Sequence, residues 1–191
     1  MQQINTPQII DASVINFCKS IAPGATPEYI QVCPGFWCRQ NECYNNVKRR
    51  VKRHGGKRQL GWRIQMPPDP LPKYMIEAVH HAIWITEEGE KIDITPQPNS
   101  GGKIVFLPDD SIELGEFRIG EKYQALFDWQ EVIEYVRLCN LESIEYVNKT
   151  KLNKSPKIPK NITKQQGNLL QQIMIKAMQK NLIDVSLLKK K

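Results

Sequence analysis

Ile76-Glu77-Ala78-Val79-His80-His81-Ala82-Ile83-Trp84-Ile85-Thr86-Glu87-Glu88-Gly89-Glu90-Lys91-Ile92-Asp93-Ile94-Thr95-Pro96 is the stretch on which the fold turns. Its first half is rich in β-branched and apolar residues and reads as a strand from Ile76 to Thr86. Val79, Ile83 and Ile85 lie on one face, and Ala78, Ala82 and Trp84 on the other. Both faces are apolar, so this strand is predicted to be central and buried. Glu87-Glu88-Gly89 fits a three-residue hairpin connection with Gly89 in the left-handed position of a bulge. That register sets Thr86 opposite Glu90 and Ile83 opposite Asp93. His81, two residues from Ile83, then shares the face of Asp93 and stands diagonal to it. A two-residue Glu88-Gly89 turn slips the register by one and favours His80 instead. A buried Asp needs a partner, and a neighbouring imidazole supplies one.

Outward from the hairpin, Lys91 to Thr95 is the returning strand, and Lys103 to Leu107 follows the Asn99-Ser100-Gly101-Gly102 turn. Gln59 to Met66 alternates apolar and polar residues and reads as a strand, ended by the stiff Pro67–Pro72 loop, which is placed as an overhanging lid. Tyr29 to Cys33 is a further short strand, and Phe117 to Ile119 is one more candidate. Helices are predicted near Ile9 to Cys18, from Cys43 to His54, and from Tyr123 to Cys139. Asn41 is the expected N-cap of the second helix and Gly55-Gly56 its stop. Cys43, Val47 and Val51 recur every four residues and share one helical face.

The chain has 191 residues, 40% of them hydrophobic, and a net charge of +7. The charge is divided unevenly. Residues 149–191 carry a net charge of +10, while residues 1–148 carry −3. The expected organisation is an α+β domain over residues 1–147, a basic linker over 148–162, and an amphipathic helix with a lysine tail over 163–191. Thr163 is the expected cap of that last helix. No apolar run is long enough to span a bilayer. Met1 to Pro7 shows neither the basic flank nor the apolar core of a secretory signal. Five cysteines, an odd number, argue against a disulfide framework and for a reducing, cytoplasmic setting.

Cys43 opens a helix, where backbone N–H groups and the helix dipole favour a thiolate and can hold an oxyanion. Cys43, then His81 after 38 residues, then Asp93 after a further 12, supply a thiol nucleophile, its base and the orienter of that base. The bland alternative is that Cys43 packs on the apolar face with Val47 and Val51, and that the His–Asp pair merely stabilises the sheet.

The set Asn41-Glu42-Cys43 with Asn46-Val47, Gly55-Gly56, Gly61-Trp62, His80-His81-Ala82-Ile83-Trp84, Gly89 and Asp93-Ile94-Thr95-Pro96 resembles a group of little-characterised bacterial and phage proteins, some of which carry a SEC-C zinc motif. The resemblance spans residues 28–108. This chain has no such cysteine-rich segment, so the zinc role does not carry over. More remotely, the arrangement is similar to the transglutaminase-like branch of the papain-like superfamily. That resemblance implies a helix bearing Cys43 packed on an antiparallel sheet bearing His81 and Asp93, with a C-terminal helical extension. It further implies Cys43 as nucleophile, His81 as general base and Asp93 as orienter. Asn46, Trp62 and His80 are the weaker candidates for lining the site or forming an oxyanion hole. The implied activity is a cysteine-dependent hydrolase or acyltransferase acting on an amide or ester of a protein or peptide, through an acyl-enzyme and without a cofactor.

Two other readings stand beside it. Cys33, Cys38 and Cys43 with His54 form a Cys3His set at spacings zinc accepts. A non-enzymatic binding or inhibitor module is the other, with residues 149–191 holding a polyanion or nucleic acid by counterion release. The absence of aromatics after Tyr146 argues against base stacking there. The apolar stripe of the last helix, residues 163–183, is expected to dock on the core or to pair with a partner or a second copy.

Overall fold

The structure, a computed structural model, describes residues 5–67, 73–97, 102–152 and 154–180. Among these residues the chain forms helix α1 (Ala12–Ile21), strand β1 (Glu28–Val32), helix α2 (Cys43–His54), strands β2 (Lys57–Gln65), β3 (Met75–Ile85), β4 (Lys91–Asp93), β5 (Lys103–Pro108) and β6 (Lys122–Ala125), and helices α3 (Gln130–Glu142) and α4 (Lys160–Gln179). A π-helical turn, Ser143–Val147, extends α3. The architecture is mixed α and β. The strands run in the order β2-β5-β1-β4-β3-β6, and β2 also pairs with β3, so five of them close into a barrel-like sheet. All pairings are antiparallel except β1 with β4, which is parallel. That one pair departs from the wholly antiparallel sheet expected.

The hairpin adopts the three-residue register. Ile85 faces Lys91 and Trp84 faces Ile92, which carries Ile83 opposite Asp93. Gly89 has φ 88° and its N–H donates to the Thr86 carbonyl at 3.1 Å, while the Thr86 N–H donates to the Glu90 carbonyl at 2.9 Å. The left-handed turn at Gly89 thus fixes which residues face each other.

Two apolar layers flank the barrel wall and a third fills it. Inside lie Ile30, Ile83, Ile104 and Phe106. Outside, α1 buries Val14, Phe17 and Cys18 against Trp62, Ile64, Ile76, Ala78, Val105 and Leu107. Asp11 caps this helix by accepting from the Ser13 and Val14 N–H groups, so it begins three residues later than the pattern from Ile9 predicts. Farther round, α2 buries Cys43 and Val47 against Ala82 and Ile94.

Two expectations are corrected by long-range pairing. Tyr123 to Ala125 is expected at the start of a helix, but Lys122–Ala125 forms β6 along Met75–Ala78, and the helix starts only at Gln130. Residues 148–162 are not a free linker: Phe117 bridges Lys151, the Arg118 N–H donates to the Thr150 carbonyl, and Leu152 donates to Glu116. The last helix starts at Lys160 rather than at a Thr163 cap. Its Ile173 and Ala177 pack on Tyr74, Trp129 and Val132, so this part of the apolar stripe docks on the core. The lid expected over Pro67–Pro72 and the tail beyond Lys180 lie outside the described residues, apart from Pro67. Among the described residues no helix is long and apolar enough to cross a membrane.

Candidate active site

β3 is the longest strand, and its two edges are used unequally. One edge pairs with β2 from Glu77 to Ile85. On the other, β6 takes Met75–Ala78 and β4 takes Trp84 and Ile85. Val79 to Ile83 are left between them, and a cleft of about 240 Å³ opens there, lined by Cys43, Arg63, Val79, His80, His81 and Thr95 among others. β4 is only three residues long because it ends at Asp93; the Thr95 N–H folds back to donate to Asp93 Oδ1 at 2.9 Å, in place of a further ladder bond.

Cys43 is the first residue of α2, one position earlier than an Asn41 cap implies. Asn41 has φ 62° and Glu42 occupies the cap position. No side chain caps this terminus. The first N–H groups of the helix are therefore left for a ligand, a feature that favours negative charge. The loop before Cys43 is held by Asn46, whose carboxamide donates to the Arg39 carbonyl at 2.7 Å and to Thr95 Oγ1 at 3.2 Å and accepts from the Arg39 N–H at 3.1 Å. Both amide protons are engaged, so Asn46 fixes the loop before Cys43 to the Asp93–Thr95 corner and is not free to donate to another group.

His81 Nε2 lies 3.0 Å from Asp93 Oδ2, with the two side chains 5% and 0% exposed. The N–H is not aligned on the oxygen as in a good hydrogen bond, so the contact is foremost an ion pair. Burial disfavours an imidazolium at His81, but the Asp93 carboxylate, with a smaller contribution from Cys43, wins and raises the pKa to about 9. With Nε2 turned to Asp93, the other ring nitrogen is left for the sulfur.

His80 points the opposite way, as alternation along a strand requires. Tyr44 Oη hydrogen-bonds its Nδ1, and Trp62 packs edge-on at 5.3 Å. Burial, then the neighbouring His81, depress the His80 pKa to about 4, so it is neutral at ordinary pH. The Trp62 indole N–H donates to Asp109 Oδ2 at 2.9 Å, and Trp62 does not line the cleft beside Cys43. The structure thus brings Cys43, His81 and Asp93 together, puts His80 on the cleft wall, and uses Asn46 and Trp62 for support.

The alternative zinc set does not converge. Cys43 and His54 stand at opposite ends of α2, about 16 Å apart at 1.5 Å per residue. Zinc ligands sit about 2.0–2.3 Å from the metal, so these two cannot share one ion. Cys33 is exposed, and among the described residues no group of three or more His, Cys, Asp or Glu is placed to hold a metal.

Sequence reasoning passed over Arg63. It reads as one polar position of an alternating strand, yet it is half-buried and lines the cleft beside Cys43 and His81. Its register partners are Val79 and Phe106, which put it on the inner face of the barrel with His81. The signal available in the sequence was a charged residue at an inward position of a strand, visible only once the pairing is known.

Comparison of the chain with protein-family models, with curated proteins and with solved structures finds no match.

Proposed function

We propose that the protein is a cysteine-dependent hydrolase or acyltransferase acting on an amide or ester. The observation that carries this reading is the 3.0 Å approach of His81 to Asp93, with Cys43 and His81 lining the same cleft. Cys43 and His81, from separate elements, line one cleft, and Asp93 from a third stands buried behind His81, in the roles such chemistry requires. The thiolate of Cys43 attacks the carbonyl carbon and a C–S bond forms as the carbonyl electron pair moves to oxygen. The free N–H groups at the start of α2 face the developing charge. Collapse breaks the C–N or C–O bond, and the leaving group takes the proton of the His81 imidazolium. Water or an amine then attacks the thioester, gives its proton to His81 and restores the thiolate. Asp93 holds the ring in place and stabilises its charged form. All five cysteines are unpaired, and a nucleophilic thiol needs a reducing compartment, so we place the activity in the cytoplasm.

Alkylation by iodoacetamide, read cysteine by cysteine with peptide mass spectrometry, tests the reading. Cys18 and Cys139 are internal references, because burial pushes both thiols up to about 12. Cys43 is expected to react far ahead of them, and His81→Ala to slow it by at least about tenfold while the fold persists. On a panel of activated esters, a thioester adduct should accumulate on Cys43 and vanish in Cys43→Ala. A Cys43 that reacts no faster than the references, or whose rate ignores His81, removes the proposal.

A further inference from the structure

We infer that the acyl substrate carries a carboxylate close to the reacting carbonyl, and that Arg63 is the residue that selects it. This rests on the acyl-transfer reading of Cys43 and deepens it. Arg63 Nη1 donates to Gln97 Oε1, a neutral group. Its Nε is buried with no hydrogen-bond partner, and no carboxylate forms an ion pair with it among the described residues. A guanidinium keeps its charge in any protein environment and offers five donors in a planar fork suited to a carboxylate. Leaving such a group half-buried and incompletely satisfied is costly unless an anion completes it. The Asp93 and Glu77 carboxylates and Cys43 all act on its charge, with neither carboxylate at ion-pair distance, which places it within range of the reacting atoms. The Gln97 carboxamide holds the fork without neutralising it.

The approach to the cleft has the same sign. Arg118 lines its rim, anchored by hydrogen bonds to the Lys154 carbonyl at 3.0 Å and the Leu152 carbonyl at 3.3 Å. A neighbouring groove of about 480 Å³ shares Arg118 and adds Lys48 and Arg58. Against these cations the two cavities present Glu121 in the cleft and Glu42 in the groove, and Glu42 faces Arg39 at 3.7 Å. Convergent cations with few carboxylates raise the local concentration of an anionic substrate.

Iodoacetate and iodoacetamide are the probes. They differ by a carboxylate in place of a carboxamide, and both react by the same step, in which the thiolate forms a C–S bond and iodide leaves. Cys33 is exposed and serves as the reference in the same chain. The iodoacetate-to-iodoacetamide rate ratio at Cys43 is expected to exceed that at Cys33 by about tenfold, the scale of one charge-assisted hydrogen-bonded pair. Arg63→Gln should bring the ratio down to the Cys33 value. Added salt should lower the ratio at Cys43 in the unmodified protein, a readout that holds even if the variant does not fold. Equal ratios at Cys43 and Cys33, with iodoacetamide still fast at Cys43, overturn the carboxylate preference and leave the acyl-transfer reading standing. Slow reaction of Cys43 with both reagents removes both.

Discussion

At His81 two opposed effects act on one imidazole: burial resists its charge, and the Asp93 carboxylate favours it. The carboxylate prevails, and the folded pKa of about 9 exceeds the ordinary 6.5. A raised pKa contributes stability that is fully present below pH 6.5 and is lost as pH climbs through about 9. At the preceding residue, His80, burial and then His81 outweigh the Asp109 carboxylate and lower the pKa to about 4, so its contribution is present above pH 6.5 and is lost as pH falls toward 4. His80 is only 6% exposed, so little solvent screening applies, and the acid-side loss is on the order of 3 kcal/mol. Urea unfolding measured from pH 4 to 9 checks both signs. His80→Gln is expected to flatten the acid limb relative to the unmodified protein, and Asp93→Asn the alkaline limb. An unchanged alkaline limb in Asp93→Asn means that His81 is not held charged by that carboxylate.

The elements depend on where backbones come together. Gly61 faces His81 on one side and Pro108 on the other, at the crossing where β2 pairs with both β3 and β5. A Cβ there would overlap the Leu107 carbonyl oxygen and come within 2.6 Å of the Phe106 ring. Gly61→Ala is therefore expected to destabilise by on the order of 3 kcal/mol or more, because rigid backbone must shift. Gly89→Ala meets open space and carries only the strain of φ 88°, roughly 1–2 kcal/mol. Thermal unfolding of the pair gives the order. A Gly61→Ala that is milder than Gly89→Ala contradicts closure of the barrel at this point. The hairpin and α2 were both legible in advance, since each is specified within about a dozen residues by a glycine turn or an apolar period. β6 was not: Tyr123 to Ala125 continue the apolar pattern of the following helix, and only the free edge at Met75–Ala78 draws them into a strand.

At the scale of the molecule, the barrel and the helical C-terminal part bury separate apolar clusters. Tyr74, Trp129, Val132, Ile173 and Ala177 form one of them, while the cleft lies between Cys43 of α2 and His81 in the later half of β3, with Asp93 of β4 buried behind His81. Lys176 ties α4 to α3 through Glu131 at 2.8 Å. Ile173 is 1% exposed, and Ile173→Ala is expected to cost ~2–5 kcal/mol by leaving a cavity between α3 and α4. Under folding conditions the alkylation rate of Cys43 in that variant should match the unmodified protein. A large fall in the Cys43 rate at full folding would mean that the helical part shapes the cleft. Lys149 and Lys151 pair with Glu145 and Glu116, and Arg118 beside them lines the cleft.

The sequence alone determined the local facts: a hairpin turning at Gly89 in one of two registers, the helix that opens at Cys43 and the apolar faces of the central strand. Each follows from short-range geometry, in which a turn or a helical period leaves few alternatives. The tertiary structure alone decided the rest. It paired β1 with β4 in parallel and joined β2 to β5 to close the barrel. It engaged Asn46 with Arg39 and Thr95, Trp62 with Asp109, and left Arg63 facing inward with no carboxylate at ion-pair distance among the described residues. Those outcomes depend on which distant strands meet, and a side chain's partner across a barrel is set by that pairing and not by its neighbours in the chain.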